Sequence, residues 1–355
     1  MMSVVILSYL PILFLLVYLF KIPPKGQLAR TSTVLTFLFV VVMILAIGLS
    51  PEDVSYDKPR YTDMYYSTLK YGLSYEYRDP GWIMYNILCT SFFGKNVVCF
   101  FLLTAAIYVG GFYLVGKSFF PKEYVGYFVV MTAGCLGFSN YGINVIRAGV
   151  ALSLLMVAFS LNIKVIFKIL LVIISLSFQI SMAIPVAAYL GGRFVKKTWM
   201  VVSFWAVCLL LSAVNFDLAS LFETVGFVDA RVEQYANSVD ETGGGYEKGF
   251  RVDFLLYSVV PLLIFFYYIF VKKIKDANYM IFVRAYLLAN AVWLLAIRMA
   301  YSDRFAYLSW YLIPLLTLYP VINYQGKFGH PRRLLLLIMC TFIGVRLILS
   351  LRSPA

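Results

Sequence analysis

The sequence predicts an all-α polytopic integral membrane protein, with about ten transmembrane helices in a single membrane domain over residues 1–355. Hydrophobic residues make up 62 % of the chain and charged residues 13 %. At least ten apolar stretches are long enough for a hydrocarbon core about 30 Å thick, which takes roughly 20 apolar residues per helix. The few charges fall mainly between these stretches. Such a chain has no room for a soluble domain of ordinary size.

The apolar stretches place the membrane helices in order along the chain. The predicted spans are 4–20, 31–49, 96–116, 124–140, 146–162, 198–216, 252–271, 279–298, 304–322 and 333–350. The first stretch has neither a basic segment before it nor a small-residue cleavage site after it. It therefore indicates a retained helix and not a signal peptide.

The apolar run 165–191 departs from this pattern, because it is too long for one upright helix and too short for two. Basic residues flank it on both sides, beginning with Lys164 before it and Arg193 after it. Both ends therefore favour the same side of the membrane. This indicates a re-entrant or broken hairpin with its interruption near Ser177–Ser181, and one long tilted helix is the alternative.

The distribution of charge predicts the orientation, since Lys and Arg concentrate in cytoplasmic loops. The basic loop 21–30 places the N-terminus outside. Following the chain through every span then puts 17 basic and two acidic residues inside, and 13 basic and 15 acidic residues outside. The net charge of +13 divides into +15 inside and −2 outside. It is a topology signal, and no nucleic-acid partner is expected because no basic face stands apart from the membrane.

The first long outer loop, residues 51–95, carries seven tyrosines between Tyr56 and Tyr77 and then the turn Asp79-Pro80-Gly81-Trp82. The proline restricts the residue before it to extended conformations. The stretch 82–93 is half apolar and too short to span, which predicts an interfacial helix. The tyrosines fit an aromatic belt at the membrane surface, and they also fit rings that stack on sugars.

The second outer loop, residues 217–251, is acidic and contains the flexible tip Gly243-Gly244-Gly245. Loops of this length are often binding lids, and a solvated connector is the equal alternative.

Cysteine spacing and the absence of nucleotide motifs limit the chemistry. The five cysteines lie in apolar segments without a Cys-x-x-Cys pair, which favours buried thiols over disulfides or a metal site. The chain also lacks a Walker-type loop and the common hydrolase and metalloprotease motifs. Neither a metal nor a cofactor is predicted.

Three arginines at the outer ends of predicted spans, Arg147, Arg298 and Arg304, carry the main functional hypothesis. A single arginine near a helix end is inexpensive, because its side chain reaches the headgroups. Several arginines on a face otherwise rich in acids fit that interpretation less well. Guanidinium groups bind phosphate oxygens in bidentate fashion, so an outward cluster would hold a lipid pyrophosphate. Pairing of Arg304 with Asp303 is the structural alternative.

Four short patches carry a family resemblance. They are Arg60-Tyr61-Thr62-Asp63-Met64-Tyr65-Tyr66, Asp79-Pro80-Gly81-Trp82, Asn144-Val145-Ile146-Arg147-Ala148 and Arg304-Phe305-Ala306-Tyr307. Together with the chain length, the helix number and the two outer loops, they resemble the EpsG-type branch of the Wzy-like exopolysaccharide and O-antigen polymerase family. Two positions depart from it, since the family usually has Gln in place of Ala148 and His in place of Gln179. Because Gln cannot take a proton from a hydroxyl, Gln179 is expected to position substrate.

The resemblance implies a glycosyltransferase that joins undecaprenyl-pyrophosphate-linked oligosaccharide repeat units into O-antigen, capsule or exopolysaccharide. It would work without a metal or cofactor at the outer, periplasmic face of the bacterial inner (plasma) membrane. Its implied partners are the lipid-linked glycan donor and acceptor, the lipid bilayer, a flippase and a chain-length regulator.

Roles follow for individual residues. Charge develops on the leaving pyrophosphate, where prepositioned arginines are most effective, and an outer carboxylate would take the acceptor's proton. The predicted catalytic residues are Asp63, Arg147 and Arg304. The predicted substrate-binding residues are Glu76, Asp79, Asn144, Gln179 and Arg298, with Asp79 and Glu76 also alternatives to Asp63 as the proton acceptor. A transporter or flippase of lipid-linked oligosaccharide is the main alternative function, and a non-catalytic assembly partner is the third.

Overall fold

The computed structural model describes residues 27–52, 55, 57–72, 79–214, 249–299 and 302–352. These residues form helices and connections, with no β-strand among them. Their contacts divide the chain into two compact units, one formed by Met1–Ala183 with Leu318–Ala355 and the other by Ile184–Thr317. The predicted span 4–20 lies outside the described residues, as does most of the loop 217–251. The single membrane domain stays a prediction.

Fifteen α-helices are described in these ranges. In chain order they are α1 Gln27–Gly48, α2 Lys58–Tyr71, α3 Pro80–Phe93, α4 Val97–Phe119, α5 Val125–Gly134, α6 Phe138–Ile143, α7 Ile146–Ser160, α8 Val165–Phe178, α9 Ala183–Phe194, α10 Thr198–Ala213, α11 Val252–Phe266, α12 Ala277–Leu295, α13 Ser302–Trp310, α14 Ile313–Asn323 and α15 Pro331–Arg352.

Length and apolar composition allow four segments of the described chain to cross a membrane on their own. They are Val97–Phe119, Val252–Val271, Ala277–Leu295 and Ser302–Asn323. Further apolar helices of 10–17 residues are Ser32–Gly48, Ile146–Ser160, Val165–Phe178, Ile180–Phe194 and Thr198–Ala213. The all-helical membrane class is therefore confirmed for the described residues, while the number of about ten spans stays a prediction.

Helix α3 begins and ends where its residue types require. Pro80 occupies the first turn, where its missing N–H is no loss and its fixed φ suits a helix. Asp79 before it is extended, with φ −104° and ψ 92°. Gly94 stops the helix at φ 54°, a conformation that glycine tolerates best. The short helix predicted over 82–93 is present as Pro80–Phe93, and its interfacial position stays a prediction.

Two apolar stretches are interrupted. Helix α8 stops at Phe178, and Gln179 is extended, with φ −157° and ψ 113°, before a 3₁₀ turn at Ile180–Met182. The interruption predicted near Ser177–Ser181 is present, and an unbroken tilted helix is excluded.

The continuous span predicted over 124–140 is wrong. Helix α5 ends at Gly134 and α6 starts at Phe138, with Gly137 between them at φ 84°. Ser139 and Asn140 make the chain after the interruption more polar than Val125–Gly134, and the predicted span 124–140 nevertheless ran across Gly137. The guanidinium of Arg346 in α15 hydrogen-bonds the carbonyl oxygen of Ala133, which the ended helix leaves without its intrahelical partner.

Small residues let the helices of the first unit approach closely. A Cβ on Gly111 of α4 would lie 1.9 Å from Oγ of Ser153 in α7. That hydroxyl donates to the carbonyl of Tyr108 at 2.9 Å. The hydroxyl of Ser175 in α8 donates to the carbonyl of Ala151 at 2.7 Å. Close approach with interhelical hydrogen bonds is how helices associate where lipid offers no hydrophobic drive.

Contacts within the first unit join groups that the predicted topology assigns to the same side of the membrane. On the predicted inner side, Oγ of Ser32 donates to the carbonyl of Glu123 at 3.0 Å, and Oγ of Ser118 to the carbonyl of Ser160 at 2.6 Å. On the predicted outer side, Asp79 of the first long loop meets Arg147 of the 141–147 connection. Helix ends assigned to the same side therefore contact one another, and which of the two sides is the outer one stays a prediction.

The second unit is organised around Asn290, which is fully buried in α12. Its carbonyl oxygen accepts from the indole N–H of Trp205 at 2.8 Å, and its amide donates to Oγ of Ser309 at 3.0 Å. Oγ of Ser258 accepts from the indole N–H of Trp310 at 2.7 Å and lies 3.3 Å from the Asn290 amide. A buried polar network with these partners fixes a unique packing arrangement.

Candidate active site

The charged centre of the first unit is an ion pair between Arg147 and Asp79. Nη1 of Arg147 lies 2.6 Å from Oδ2 of Asp79. Asp79 sits at the N-cap of α3, and Arg147 is the second residue of α7. The Arg147 side chain is 22 % exposed and the Asp79 side chain is 4 % exposed. Asp79 makes no side-chain capping bond to its own helix, and its carboxylate reaches Arg147 across the fold.

One fork of the Arg147 guanidinium remains open. Nε of Arg147 is buried and has no hydrogen-bond partner. Nε and Nη2 form the second bidentate face of a guanidinium, separate from Nη1, which Asp79 occupies. A buried donor without a partner is costly. An anion that brings two oxygens to this face would remove that cost.

Asn144 lies beside this arginine in sequence and has a matching open group. Its amide nitrogen donates to Oδ1 of Asn140 at 2.7 Å, which fixes the side chain. Its own Oδ1 is buried without a hydrogen-bond partner. An unpaired donor and an unpaired acceptor therefore lie three residues apart at the start of α7. The acceptor suits a hydroxyl group, and the donor suits a phosphate oxygen.

Helix α3 is packed directly against the interruption that carries Gln179. A Cβ on Gly81 would lie 2.1 Å from Oγ of Ser177. The rings of Trp82 and Phe178 are 5.8 Å apart. Gln179 itself is half-buried. The structure thus places Gln179 one residue beyond the contact with α3, the helix that Asp79 begins.

The aromatic residues of the first outer loop divide into two groups. Trp82 is 0 % exposed, and rings of Tyr61, Tyr85, Phe100 and Phe178 surround it at 5.4–5.8 Å between centroids. These rings form a core and are not free to stack on sugars. Tyr66 and Tyr71, by contrast, are 42 % and 70 % exposed. The sugar-stacking hypothesis is therefore restricted, among the described tyrosines of this loop, to the exposed ones.

The other predicted acids of this loop differ in what the structure shows. Asp63 lies exposed on α2. Glu76 is outside the described residues. Sequence reasoning overlooked Lys58, whose buried ammonium donates to the carbonyl and hydroxyl of Ser50 and lies 4.5 Å from the centroid of Phe101. Burial lowers the pKa of Lys58 to about 8, against the smaller opposing effect of the Glu52 carboxylate.

The second unit carries its own set of charges. Nε of Arg298 lies 3.3 Å from the carbonyl oxygen of Ser212, and its guanidinium lies 5.2 Å from the centroid of Phe250. Arg304 is half-buried next to Asp303, and Asp303 is within electrostatic range of both Arg304 and Arg251. The structural interpretation of Arg304 as a partner of Asp303 thus has support, and the phosphate-binding role stays a prediction.

Sequence reasoning missed two further arginines. Arg251 contacts Asp253 through Nε at 2.9 Å and Nη2 at 2.7 Å, and Arg346 in α15 contacts Ser139 at 2.6 Å. The Arg-x-Asp spacing at the outer end of 252–271 was a usable signal for Arg251. For Arg346, the signal was a lone charge within the last apolar run.

Among the described residues, no three His, Cys, Asp or Glu side chains are grouped so that they would hold a metal ion.

Comparison with known proteins gives one match. A family model described as EpsG family matches residues 33–355, which is most of the chain. No curated protein and no solved structure matches. The matched range includes all the predicted site residues.

Proposed function

The chain belongs to the EpsG family, and from that premise we propose that it is a membrane polymerase of polysaccharide repeat units. Its substrates are undecaprenyl-pyrophosphate-linked oligosaccharides, one acting as donor and one as acceptor. It works at the outer face of the bacterial inner membrane. The observation that carries the proposal is the half-occupied guanidinium of Arg147, with Asp79 on Nη1 and a buried, unpartnered Nε.

The reaction is a glycosyl transfer. A sugar hydroxyl of the acceptor attacks the anomeric carbon of the donor glycan, and a new C–O bond forms. The C–O bond to the lipid pyrophosphate breaks and its electron pair leaves with the phosphate oxygen. The hydroxyl proton passes to a carboxylate. Lipid pyrophosphate and the lengthened lipid-linked glycan are the products.

Arg147 acts on the leaving group in this proposal. Charge accumulates on the pyrophosphate oxygens as the bond breaks, and a guanidinium already in position stabilises it without reorganisation. Asp79 holds Nη1, so the Nε and Nη2 face keeps one orientation. Asp79 is therefore assigned to substrate binding through Arg147. Asn144 offers its open carbonyl oxygen to a sugar hydroxyl, and Gln179 positions a hydroxyl.

The proton acceptor is Asp63. Its carboxylate is exposed on α2 in the first outer loop, where a sugar hydroxyl of the acceptor would come within hydrogen-bond reach of it. Glu76 is the second choice. Arg304 and Arg298 are proposed as further phosphate contacts, each half-buried in the second unit. The transfer requires no metal in this scheme, because guanidinium groups carry the developing charge.

The test uses a deletion strain complemented with wild type, Arg147→Ala, Arg147→Lys or Arg333→Lys, with surface polysaccharide displayed on a gel. Arg333 is an exposed arginine of the predicted inner side and serves as the matched control. We expect Arg147→Ala to lower polymerisation by about 100-fold or more, the usual effect of removing a transition-state donor. Arg147→Lys loses the bidentate face, and we expect it to lose most of the ladder, that is, the series of gel bands from polymers of increasing length. Arg333→Lys should restore the full ladder to the deletion strain.

Two outcomes oppose the proposal. A full ladder with Arg147→Lys at normal protein level removes the bidentate phosphate contact from the mechanism. A deletion strain in which even single repeat units fail to reach the surface favours the flippase. The interrupted helices at Gln179 and Gly137 give that alternative its support, since transporters build their sites at such breaks.

A further inference from the structure

The polar cluster that best extends the site is the one around Arg346, which sequence reasoning did not include. Arg346 lies near the end of α15, and it is only 7 % exposed. One arm of its guanidinium, Nη1, bonds the carbonyl oxygen of Ala133, in the last turn of α5. The other arm, Nη2, bonds Oγ of Ser139 in α6 at 2.6 Å. A single side chain thus holds both sides of the interruption between α5 and α6.

The packing around this interruption leaves little freedom. A Cβ on Gly134 would lie 2.5 Å from the side chain of Ile343, so α15 rests directly on the last turn of α5. A Cβ on Gly149 of α7 would lie 2.2 Å from the carbonyl oxygen of Tyr141 in α6. Helix α6 therefore contacts both Arg346 of α15 and the first turn of α7.

The segment that Arg346 holds leads straight into the candidate site. Asn140 follows Ser139, accepts the hydrogen bond from the Asn144 amide, and so fixes the side chain whose carbonyl oxygen is open. Arg147 comes three residues later, at the first turn of α7. A shift of α6 would move both open groups together. Because both arms of Arg346 already have partners, its contribution is to position and not to bind phosphate.

We infer that Arg346 is a positioning residue for the transfer, which sets the direction of the Arg147 guanidinium by fixing the α5–α6 interruption. The inference rests on the proposed function. It predicts that a substitution of Arg346 lowers the rate of glycosyl transfer only when Arg147 is present. Lysine at position 346 keeps the charge but is unable to bridge Ala133 and Ser139 with a planar fork.

The experiment is a double-mutant cycle with the purified full-length protein in lipid nanodiscs. The substrate is the lipid-linked repeat unit extracted from the deletion strain. Wild type, Arg147→Lys, Arg346→Lys and the double variant are compared by kcat and KM per folded protein. We expect Arg346→Lys to lower kcat by about 10- to 100-fold in the wild-type background, as misplacement by about 1 Å does, with KM little changed. In the Arg147→Lys background, Arg346→Lys should lower kcat by less than about twofold.

Arg284→Lys is the matched control. Arg284 is also 7 % exposed, and its Nε donates to the carbonyl oxygen of Gly192 at 2.7 Å near the end of α9, in the second unit. Its substitution should lower stability and should change kcat by the same factor in both backgrounds. If Arg346→Lys folds poorly, Ser139→Ala removes only the Nη2 contact and should show the same coupling to Arg147 at smaller amplitude.

The outcomes separate the inference from the function on which it rests. Equal factors for Arg346→Lys in both backgrounds, or no loss in the wild-type background, overturn the positioning role while the polymerase assignment stands. Full activity of Arg147→Lys alone overturns the role of Arg147 and the inference with it. If neither Arg346→Lys nor Ser139→Ala shows coupling to Arg147→Lys in kcat, the positioning role is likewise overturned.

Discussion

Each unit contains an arginine bonded to an aspartate, and the two pairs are built differently. Arg251 and Asp253 are two residues apart, and the carboxylate fills the Nε and Nη2 fork of its neighbour. The guanidinium of Arg251 also lies over Phe254, 3.8 Å from the ring centroid. Arg147 and Asp79 come from distant parts of the chain, and their bond takes only Nη1. The local pair gives Nε and Nη2 of Arg251 a partner, whereas the long-range pair leaves Nε of Arg147 without a hydrogen-bond partner.

Burial adds to the contrast. The side chains of Arg251 and Asp253 are 25 % and 36 % exposed, so water competes for both. Asp79 is almost fully buried. The two arginines are similarly exposed, so the contrast lies in the carboxylates: Asp79 depends on Arg147 to a degree that the more exposed Asp253 does not depend on Arg251. This is the arrangement expected of a group that must keep one orientation before substrate arrives.

The largest effect should come from breaking the buried pair. We expect Asp79→Ala to lower the free energy of unfolding by about 3 kcal/mol, because it leaves Arg147 as an uncompensated and mostly buried charge. Asp253→Ala should lower it by less than about 1 kcal/mol, as for other exposed pairs. Thermal unfolding of the purified proteins in detergent measures both.

The ladder assay sharpens the same comparison. Asp79→Asn keeps the size of the side chain but removes its charge, and it should reduce the ladder at a normal amount of folded protein. Equal loss of stability in Asp79→Ala and Asp253→Ala would contradict the contrast between the two pairs.

A second test moves the backbone near Arg147 without removing any charge. The Cβ of Gly149→Ala meets the backbone oxygen of Tyr141, so α6 and α7 must separate. We expect a loss of about 1–3 kcal/mol of stability, as for other overpacked sites, together with a weaker ladder. Gly110→Ala in α4 is the control, since nothing lies within 4 Å of its Cβ.

In Gly110→Ala, alanine should raise helix stability by about 0.5–1 kcal/mol and leave the ladder unchanged. Unfolding temperatures and ladder intensities of the two variants give the answer. A Gly149→Ala protein as stable and active as Gly110→Ala would mean that the α6–α7 contact does not constrain the site.

The smallest expected effect is a change with pH in how strongly Lys58 attaches α2 to the rest of the first unit. Since burial lowers the pKa of Lys58 to about 8 from 10.5, the folded arrangement favours the neutral amine more than the unfolded chain does. The unfolded state then binds more protons between these values, so the attachment of α2 should strengthen as the pH rises from about 8 towards 10.5. Hydrogen exchange of residues 58–71, corrected for the intrinsic rate, measures it.

Lys58→Met provides the comparison, because methionine does not titrate and fills a similar space. Its protection should show no such rise with pH. A wild-type protein whose α2 protection falls over the same interval would show that the charged ammonium is the favoured form in the folded state.

Much of the architecture could be predicted from local sequence, because it depends on local chemistry. Pro80 and Gly94 bound α3, and basic residues on both sides of 165–191 indicated the break at Gln179. Asp79 and Arg147 were each singled out, and the charge pattern placed both on the outer side. Their direct contact was not predicted, since it joins residues 68 positions apart.

What the sequence did not predict depends on partners distant in the chain. The interruption at Gly137 lies within the predicted span 124–140, and the carbonyl oxygen of Ala133 before it accepts a hydrogen bond from Arg346, 213 positions away. Hydropathy does not register such a hydrogen bond. The same limit applies to Lys58, because its burial against Ser50 and Phe101 depends on residues that no local sequence pattern brings together.

The ring cluster around Trp82 has a spectroscopic consequence. Trp82 is the only tryptophan of the first unit, because Trp199, Trp205, Trp293 and Trp310 all fall within 184–317. Its indole is shielded from water, and its helix begins at the aspartate that holds Arg147. Since Trp205 and Trp310 hydrogen-bond Asn290 and Ser258, the other four tryptophans are best kept, and the difference in emission between wild type and Trp82→Phe isolates the signal of this one residue. Its wavelength and quenching would then report in real time on the packing of α3, the helix that follows Asp79, without any added label.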